Sequence, residues 1–230
     1  MFLHTHPYKP FLFKESTKLI VGTLPPPRFT QGLLKEGDVN FSYGSRDGQL
    51  WPILDRIFNL NLKFETTEEA VLQRKKFLKE RNIGICDIVA SALREKINAS
   101  DLGMQNVQLR NLIGYLREYT KVDTLLFTGG NSKNGPEYFF RQHLKEYQLG
   151  LTVVSNIVPR IHEFILPAGI APFDTTGNEK GRTIRTVSLT APSGAANRAV
   201  GSLEAYKKMK AANPSLNTLD FRVLQYRDFF

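Results

Sequence analysis

Short apolar runs rich in β-branched residues alternate along this chain with longer stretches whose apolar positions recur every three or four residues. The first such run, Lys18-Leu-Ile-Val-Gly22, ends at glycine shortly before Pro25-Pro26-Pro27, so it reads as a buried strand leading into a rigid loop. From Gln49 to Phe58, residues Leu50, Ile53, Leu54, Ile57 and Phe58 stand at i, i+3, i+4, i+7 and i+8, the spacing of an amphipathic helix. Pro52 suits its first turn, and Asp47 is placed to cap it. Thr66 with Glu69 three residues on predicts a second helix, running to about Glu80. Ile83 to Ala90 reads as a buried strand that carries one charge, Asp87, and residues 105–119 as a helix. Thr124 to Thr128 is a further strand, closed by Gly129-Gly130, and Pro136 opens a helix to about Tyr147. Strands over 151–155 and 182–189 follow, separated by a stretch (167–181) whose Pro, Gly and Thr mark an exposed loop. A helix from about Ala195 to Ala211 precedes a tail without a clear pattern.

Strands alternating with helices predict an α/β fold, three layers with a central, mainly parallel sheet. No repeat or linker divides the sequence, so one domain over residues 1–230 is expected. In such sheets, sites form where loops leave the carboxyl ends of strands. The loops Gly22–Asp47, Asp87–Ser100 and Thr190–Arg198 are therefore where chemistry is expected.

Composition narrows the chemistry. A single cysteine, Cys86, excludes an internal disulfide, a four-cysteine zinc site and a cysteine-ligated iron–sulfur cluster. His4 and His6 lack a neighbouring carboxylate cluster, so no metal is expected. Gly129-Gly-Asn-Ser-Lys133 lacks the spacing of a triphosphate-binding loop, though Asn131, Ser132 and Lys133 are candidates for contact with a nucleic-acid backbone. Apolar runs are too short to span a bilayer and the N-terminus does not read as a signal peptide, so a cytoplasmic protein is expected. The formal net charge of +9 is the footprint of a protein that meets a polyanion. Lys180, Arg182, Arg185, Arg198, Lys207, Lys208 and Lys210, against Glu179 and Glu204, concentrate it between residues 178 and 210.

Three segments at predicted strand ends carry the candidate chemistry: Gly22-Thr-Leu-Pro-Pro-Pro-Arg-Phe29 with Phe41-Ser-Tyr-Gly-Ser-Arg-Asp-Gly-Gln-Leu-Trp51, then Gly84-Ile-Cys-Asp-Ile-Val-Ala-Ser91, then Leu189-Thr-Ala-Pro-Ser-Gly-Ala-Ala-Asn197. Together, over about residues 18 to 200, they resemble the uracil-DNA glycosylase superfamily, and within it most the hypoxanthine-DNA glycosylase branch. The resemblance implies a monofunctional DNA glycosylase, without cofactor or metal, that acts as a monomer on DNA containing a damaged base such as uracil or hypoxanthine. It makes the first segment a water-activating Gly-x-x-Pro motif with Pro25 against DNA. It makes the last a Pro-Ser clamp in which Pro192, Ser193, Gly194, Asn197 and Arg198 hold the backbone; Ser193 or Asn197 as a simple helix cap is the alternative. Phe41 or Tyr43 becomes the stacking platform, or else core, and Asp87 the reader of the base edge, or else a cap or an ion pair with Arg94 or Lys96.

The sequence departs from the family at three places. Leu24 stands where many members carry a polar, water-positioning residue before the motif proline. The hypoxanthine branch places an asparagine before its Phe-Trp pair; the aligned residue here is Gly48, and Asp47 beside it becomes the catalytic candidate. Ala191 replaces the histidine that uracil-specific members use to stabilise the leaving base. A DNA-binding protein without chemistry on the same scaffold, or a hydrolase of free nucleosides or nucleotides, are the competing readings. No lysine is marked as a Schiff-base nucleophile.

Overall fold

In the computed structural model, which describes residues 1–96, 101–168 and 181–230, the strands β1 (Phe2–Thr5), β2 (Lys18–Val21), β3 (Ile83–Ile85), β4 (Val89–Arg94), β5 (Met104–Leu109), β6 (Thr124–Phe127), β7 (Thr152–Ser155), β8 (Arg160–Leu166) and β9 (Arg182–Ser188) form two sheets. The helices are α1 (Pro27–Thr30), α2 (Leu50–Phe58), α3 (Glu68–Glu80), α4 (Leu112–Glu118), α5 (Pro136–Glu146), α6 (Asn197–Ser202), α7 (Glu204–Ala212) and α8 (Thr218–Arg227).

The central six-stranded sheet has the order β3-β2-β6-β9-β8-β7. β3, β2, β6 and β9 pair in parallel, and β8 alone runs against its neighbours. Successive side chains enter opposite layers, as the pleat requires. Leu19 and Val21 of β2 and Leu125 and Phe127 of β6 pack toward α4 and α5, with Ile113, Leu116, Phe139 and Phe140. Ile20, Leu126 and Val187 face the other way, into the layer of α2, α3 and α8, with Ile53, Leu54, Leu78, Val223 and Tyr226. The fold is the expected α/β/α sandwich with a mainly parallel sheet.

The chain leaves β2 toward β3 on one side and later returns to β6 on the other, so the switch point of the sheet lies between β2 and β6. A second, antiparallel sheet, β1-β4-β5, stands beside the first. It accounts for two corrections. The run from Ile83 to Ala90 is not one strand: β3 stops at Ile85, Asp87 is drawn inward to hydrogen-bond Gly22 N, and the chain resumes as β4 in the other sheet. Residues 105–119 are not one helix either, because β4 recruits Met104–Leu109 as a strand before Asn111 caps the short helix α4.

Smaller differences have local causes. α2 starts at Leu50 with no side-chain cap, so Asp47 does not serve as one. α3 is capped by Thr67, which accepts from Ala70 N, while the Thr66 hydroxyl donates to Asp38 O. The helix expected from Ala195 to Ala211 bends at Leu203, whose backbone is extended, so that Val200, Leu203, Tyr206 and Met209 can pack with Leu216 and Phe221. β1 and β8 were not anticipated, and the tail forms α8, opened by a capping box between Asn217 and Asp220. Most of the loop expected over 167–181 lies outside the described residues. Among the described residues, no helix is long and apolar enough to cross a membrane.

Candidate active site

Residues at the carboxyl ends of β2, β3, β6 and β9 enclose a cavity of about 310 Å³ at the switch point. All three expected loops contribute: Thr23, Leu24, Pro25, Tyr43 and Asp47 from the first, Asp87 from the second, Ala191, Pro192 and Ser193 from the third. Thr128, just after β6, and Asp101, just before β5, complete its polar lining.

The floor is organised around Asp87. Its Oδ1 accepts from Gly22 N at 2.7 Å and from the Tyr43 hydroxyl at 2.7 Å. Its Oδ2 lies 2.9 Å from His6 Nε2. Because Tyr8 N donates to His6 Nδ1 at 3.1 Å, that nitrogen is an acceptor, and the ring proton sits on Nε2, pointing at Asp87. Three donors thus converge on one carboxylate, so neither Arg94 nor Lys96 is its partner; Arg94 Nε instead donates to His4 Nδ1.

Tyr43 is held at φ 59°, in the left-handed region that non-glycine residues seldom adopt. Burial, and then the charge of Asp87, raise its phenol far above the ordinary range, so it is a fixed donor. Its oxygen also lies 3.2 Å from Thr128 Oγ1. This packing requires glycine at position 22, since a Cβ there would lie 2.3 Å from the Tyr43 hydroxyl.

The rim is built differently. Asp47 is 75% exposed at its side chain and stands 3.5 Å from Arg28, whose guanidinium is occupied by Asp38 through two bonds of 2.8 Å and by Ser45 Oγ. Buried among Arg28, Arg46 N and Lys35 N, Asp38 is held down at about 2, because those bonds outweigh its desolvation. Ser193 caps a 3₁₀ turn over Gly194–Ala196, accepting from Ala195 N, which is the cap expected as the alternative to phosphate contact. Backbone contacts join this loop to the first: Gly48 bridges to Ser193, and Gln49 N donates to Pro192 O.

Behind the loop lies a residue the sequence did not flag. Arg222 of α8 is fully buried and donates to Ala191 O, Ser193 O, Gln49 Oε1 and Asn197 Oδ1. Ala191, Pro192 and Ser193 therefore turn their carbonyls inward in succession.

Several expected site residues are placed elsewhere. Phe41 is core rather than platform: it is 6% exposed, packs against Trp51, Phe11 and Tyr8, and does not line the cavity. Asn197 spends its carbonyl oxygen on Arg222 and Thr218. Gly194 and Arg198 are exposed just outside the cavity, and Arg198 has no ion pair among the described residues. The basic segment 178–210 is less available than its composition implies. Arg182 donates to the carbonyls of Val122 and Leu116, Lys210 to those of Pro214 and Leu216, and Arg185 pairs with Glu163. Lys180 lies outside the described residues. Asn131 and Ser132 line an adjoining cavity of about 350 Å³, which shares Asp101, Thr128 and Ala191 with the first.

His6, Thr128, Asp101 and Arg222 join the site without any sequence signal. Spacing could not have found them, because each meets its partner only through the tertiary fold. Asp101 is the most informative of the four. Burial pushes its carboxyl up to about 6, with the charge of Asp87 adding to the rise, while a hydrogen bond from Thr23 and the charge of Arg94 oppose it.

No protein-family model matches the chain, and no curated protein does. Among solved structures, the chain is similar to the solution NMR structure of a candidate uracil DNA glycosylase from Methanosarcina acetivorans, with a TM-score of 0.52 and 16% identity. The match covers 96% of this chain and 99% of that one. At that identity the likeness is one of architecture, and the α/β/α sandwich described above is therefore a uracil-DNA-glycosylase-like fold.

Proposed function

We propose that this protein hydrolyses the N-glycosidic bond of a deaminated base extruded from DNA, leaving an abasic site. The observation that carries the reading is the switch-point cavity itself. It is walled by three carboxylates, Asp47, Asp87 and Asp101, and bordered by the Pro192–Ser193 loop. Its volume, about 310 Å³, lies at the small end of ligand pockets, suited to one base and its sugar rather than to a strand. A base inside a duplex cannot reach such a recess unless it is flipped out of the stack. The fold shared with a candidate uracil DNA glycosylase supports the same reading.

Each part of the site then has a role. The outward side of the Pro192–Gly194 loop, with Arg198 beside it, receives the phosphate next to the extruded nucleotide. Pro25 packs against the nucleotide from the opposite wall, and Tyr43 borders the base slot. Asp87 meets the base edge. All its present partners are donors, so it acts there as an acceptor and favours bases with a ring N–H at that edge. Deamination creates that feature: cytosine and adenine have a bare ring nitrogen where uracil and hypoxanthine carry a proton. An acceptor at this position thus fits both products, which favours the broader hypoxanthine branch over strict uracil specificity. Asp47, on the rim, directs negative charge at the sugar as it becomes cationic.

The test is base release from labelled oligonucleotides carrying uracil, hypoxanthine or xanthine, single-stranded and duplex, with alkali to reveal abasic sites. Release of uracil and hypoxanthine, but not of cytosine or adenine, is expected. Leu24 and Ala191, apolar where the family is polar, favour a second reading in which the scaffold binds DNA without chemistry. Salt-sensitive DNA binding with no release of any base would establish that reading instead.

A further inference from the structure

The cavity holds three carboxylates, and their surroundings are not equivalent. Asp47 is mostly in water beside a guanidinium. Asp87 is occupied by three donors. Asp101 is sheltered, and only its Oδ1 is engaged, by the Thr23 hydroxyl at 2.9 Å; its Oδ2 has no hydrogen bond among the described residues. Asn134 fixes the turn that carries it, donating to Asp101 O at 2.9 Å and to Met104 O at 3.2 Å. Through Thr23, Asp101 is tied to the residue immediately before Leu24, so it brings a carboxylate from another element to the wall where Leu24 supplies none.

We propose that Asp101 is the general base that takes the proton of the hydrolytic water. The role rests on the base-excision reading above. In the step, the water oxygen bonds to C1′ and one of its protons passes to Asp101. The C1′–N bond breaks with its electron pair leaving on the base. The base nitrogen is then protonated by solvent, and Asp101 returns its proton to solvent, so one water is consumed for one base and one abasic site. Shelter makes a carboxylate a better base. The rise of Asp101 to about 6 agrees with this assignment. The charged groups around it are Arg94 on β4 and Asp87, with Arg28 and Asp47 across the cavity and Arg160 of β8 in the adjoining one.

Because the base must be ionised, single-turnover release is expected to climb with pH to a midpoint near 6 and then level off. Asp101→Asn should lower the plateau by about 10²–10⁴-fold and abolish the climb, whereas Asp47→Asn keeps it. Thr23→Val, which removes a bond favouring the ionised form, should shift the midpoint to higher pH while leaving a folded enzyme; it carries the test if Asp101→Asn does not fold. A folded Asp101→Asn protein within threefold of the parent, or a Thr23→Val midpoint that does not move, overturns the assignment and leaves the glycosylase reading intact. A parent protein that releases no base from any of these oligonucleotides overturns both.

Discussion

The floor and the rim of the cavity are both polar, yet they are built on opposite principles. On the floor, Gly22 N, Tyr43 and His6 all donate to Asp87, which is 6% exposed. On the rim, Asp47 and Arg198 project into solvent, and Asp47 has only a 3.5 Å approach to Arg28. A buried polar group left without its partner costs about 1–3 kcal/mol, whereas an exposed ion pair is worth about 0–1 kcal/mol. The floor is therefore rigid because loosening it is costly, and the rim is free to reorganise around a ligand because little is lost. In the proposed glycosylase, recognition of the base would fall to the first regime, and contact with a backbone of variable path to the second.

The sharpest way to break this contrast is to attack what holds the Pro192–Ser193 loop in place. Arg222→Met should destabilise the protein by about 3–5 kcal/mol in chemical denaturation, because it leaves Ala191 O, Ser193 O, Gln49 Oε1 and Asn197 Oδ1 facing an apolar side chain. A loss below 1 kcal/mol would mean that the loop holds its own shape.

Asp87→Ala comes next, at about 3 kcal/mol, since it strands three donors at once. NMR of His6 should show its Nε2–H losing its protection from exchange with water. Retention of a protected Nε2–H would show that Asp87 is not its partner.

A pH titration of stability sharpens the contrast further. Buried His4 is pulled down from 6.5 to about 4, by burial first and then by Arg94, so the folded state binds fewer protons than the unfolded one within that window. Its contribution is complete above about 6.5 and is lost as pH falls toward 4. Asp101, raised from 3.8 to about 6, has the opposite sign and stabilises the fold as pH falls through its own window. His4→Gln should therefore flatten the acid loss seen by thermal denaturation, and Asp101→Asn should steepen it.

The smallest stability effects are expected on the rim. Asp47→Asn and Arg198→Ala should each change stability by less than about 0.5 kcal/mol. Arg198→Ala should nevertheless lower the slope of log K against log salt for DNA by about 1. An unchanged slope would remove Arg198 from the interface.

How far the sequence foretold all this follows the same division. The parallel strands around Leu19, Leu125 and Ile184 were legible because β-branched apolar runs ending at glycine or polar turns have few other uses. Those strands located the three loops, and the loops located Tyr43, Asp47, Asp87, Pro192 and Ser193. What stayed hidden was the set of partners. His6 reaches Asp87 from the far N-terminus, and Arg222 reaches Ser193 from a helix with no clear periodicity. Phe41 took the core alternative for the complementary reason: an aromatic residue beside a motif can point inward, and here it packs against Trp51 and Phe11. Net charge overstated the free basic surface of residues 178–210, since Arg182 and Lys210 serve internal carbonyls.

The inward turn of three successive carbonyls at Ala191, Pro192 and Ser193 has one more effect. A peptide segment normally shows oxygens and N–H groups alternately, and so greets cations and anions alike. Here two of the oxygens are taken by Arg222 and the third by Gln49 N, so the loop spends its carbonyls inside the protein. A cation approaching this loop therefore finds little to hold, and the charge that lies behind the loop is the buried guanidinium of Arg222.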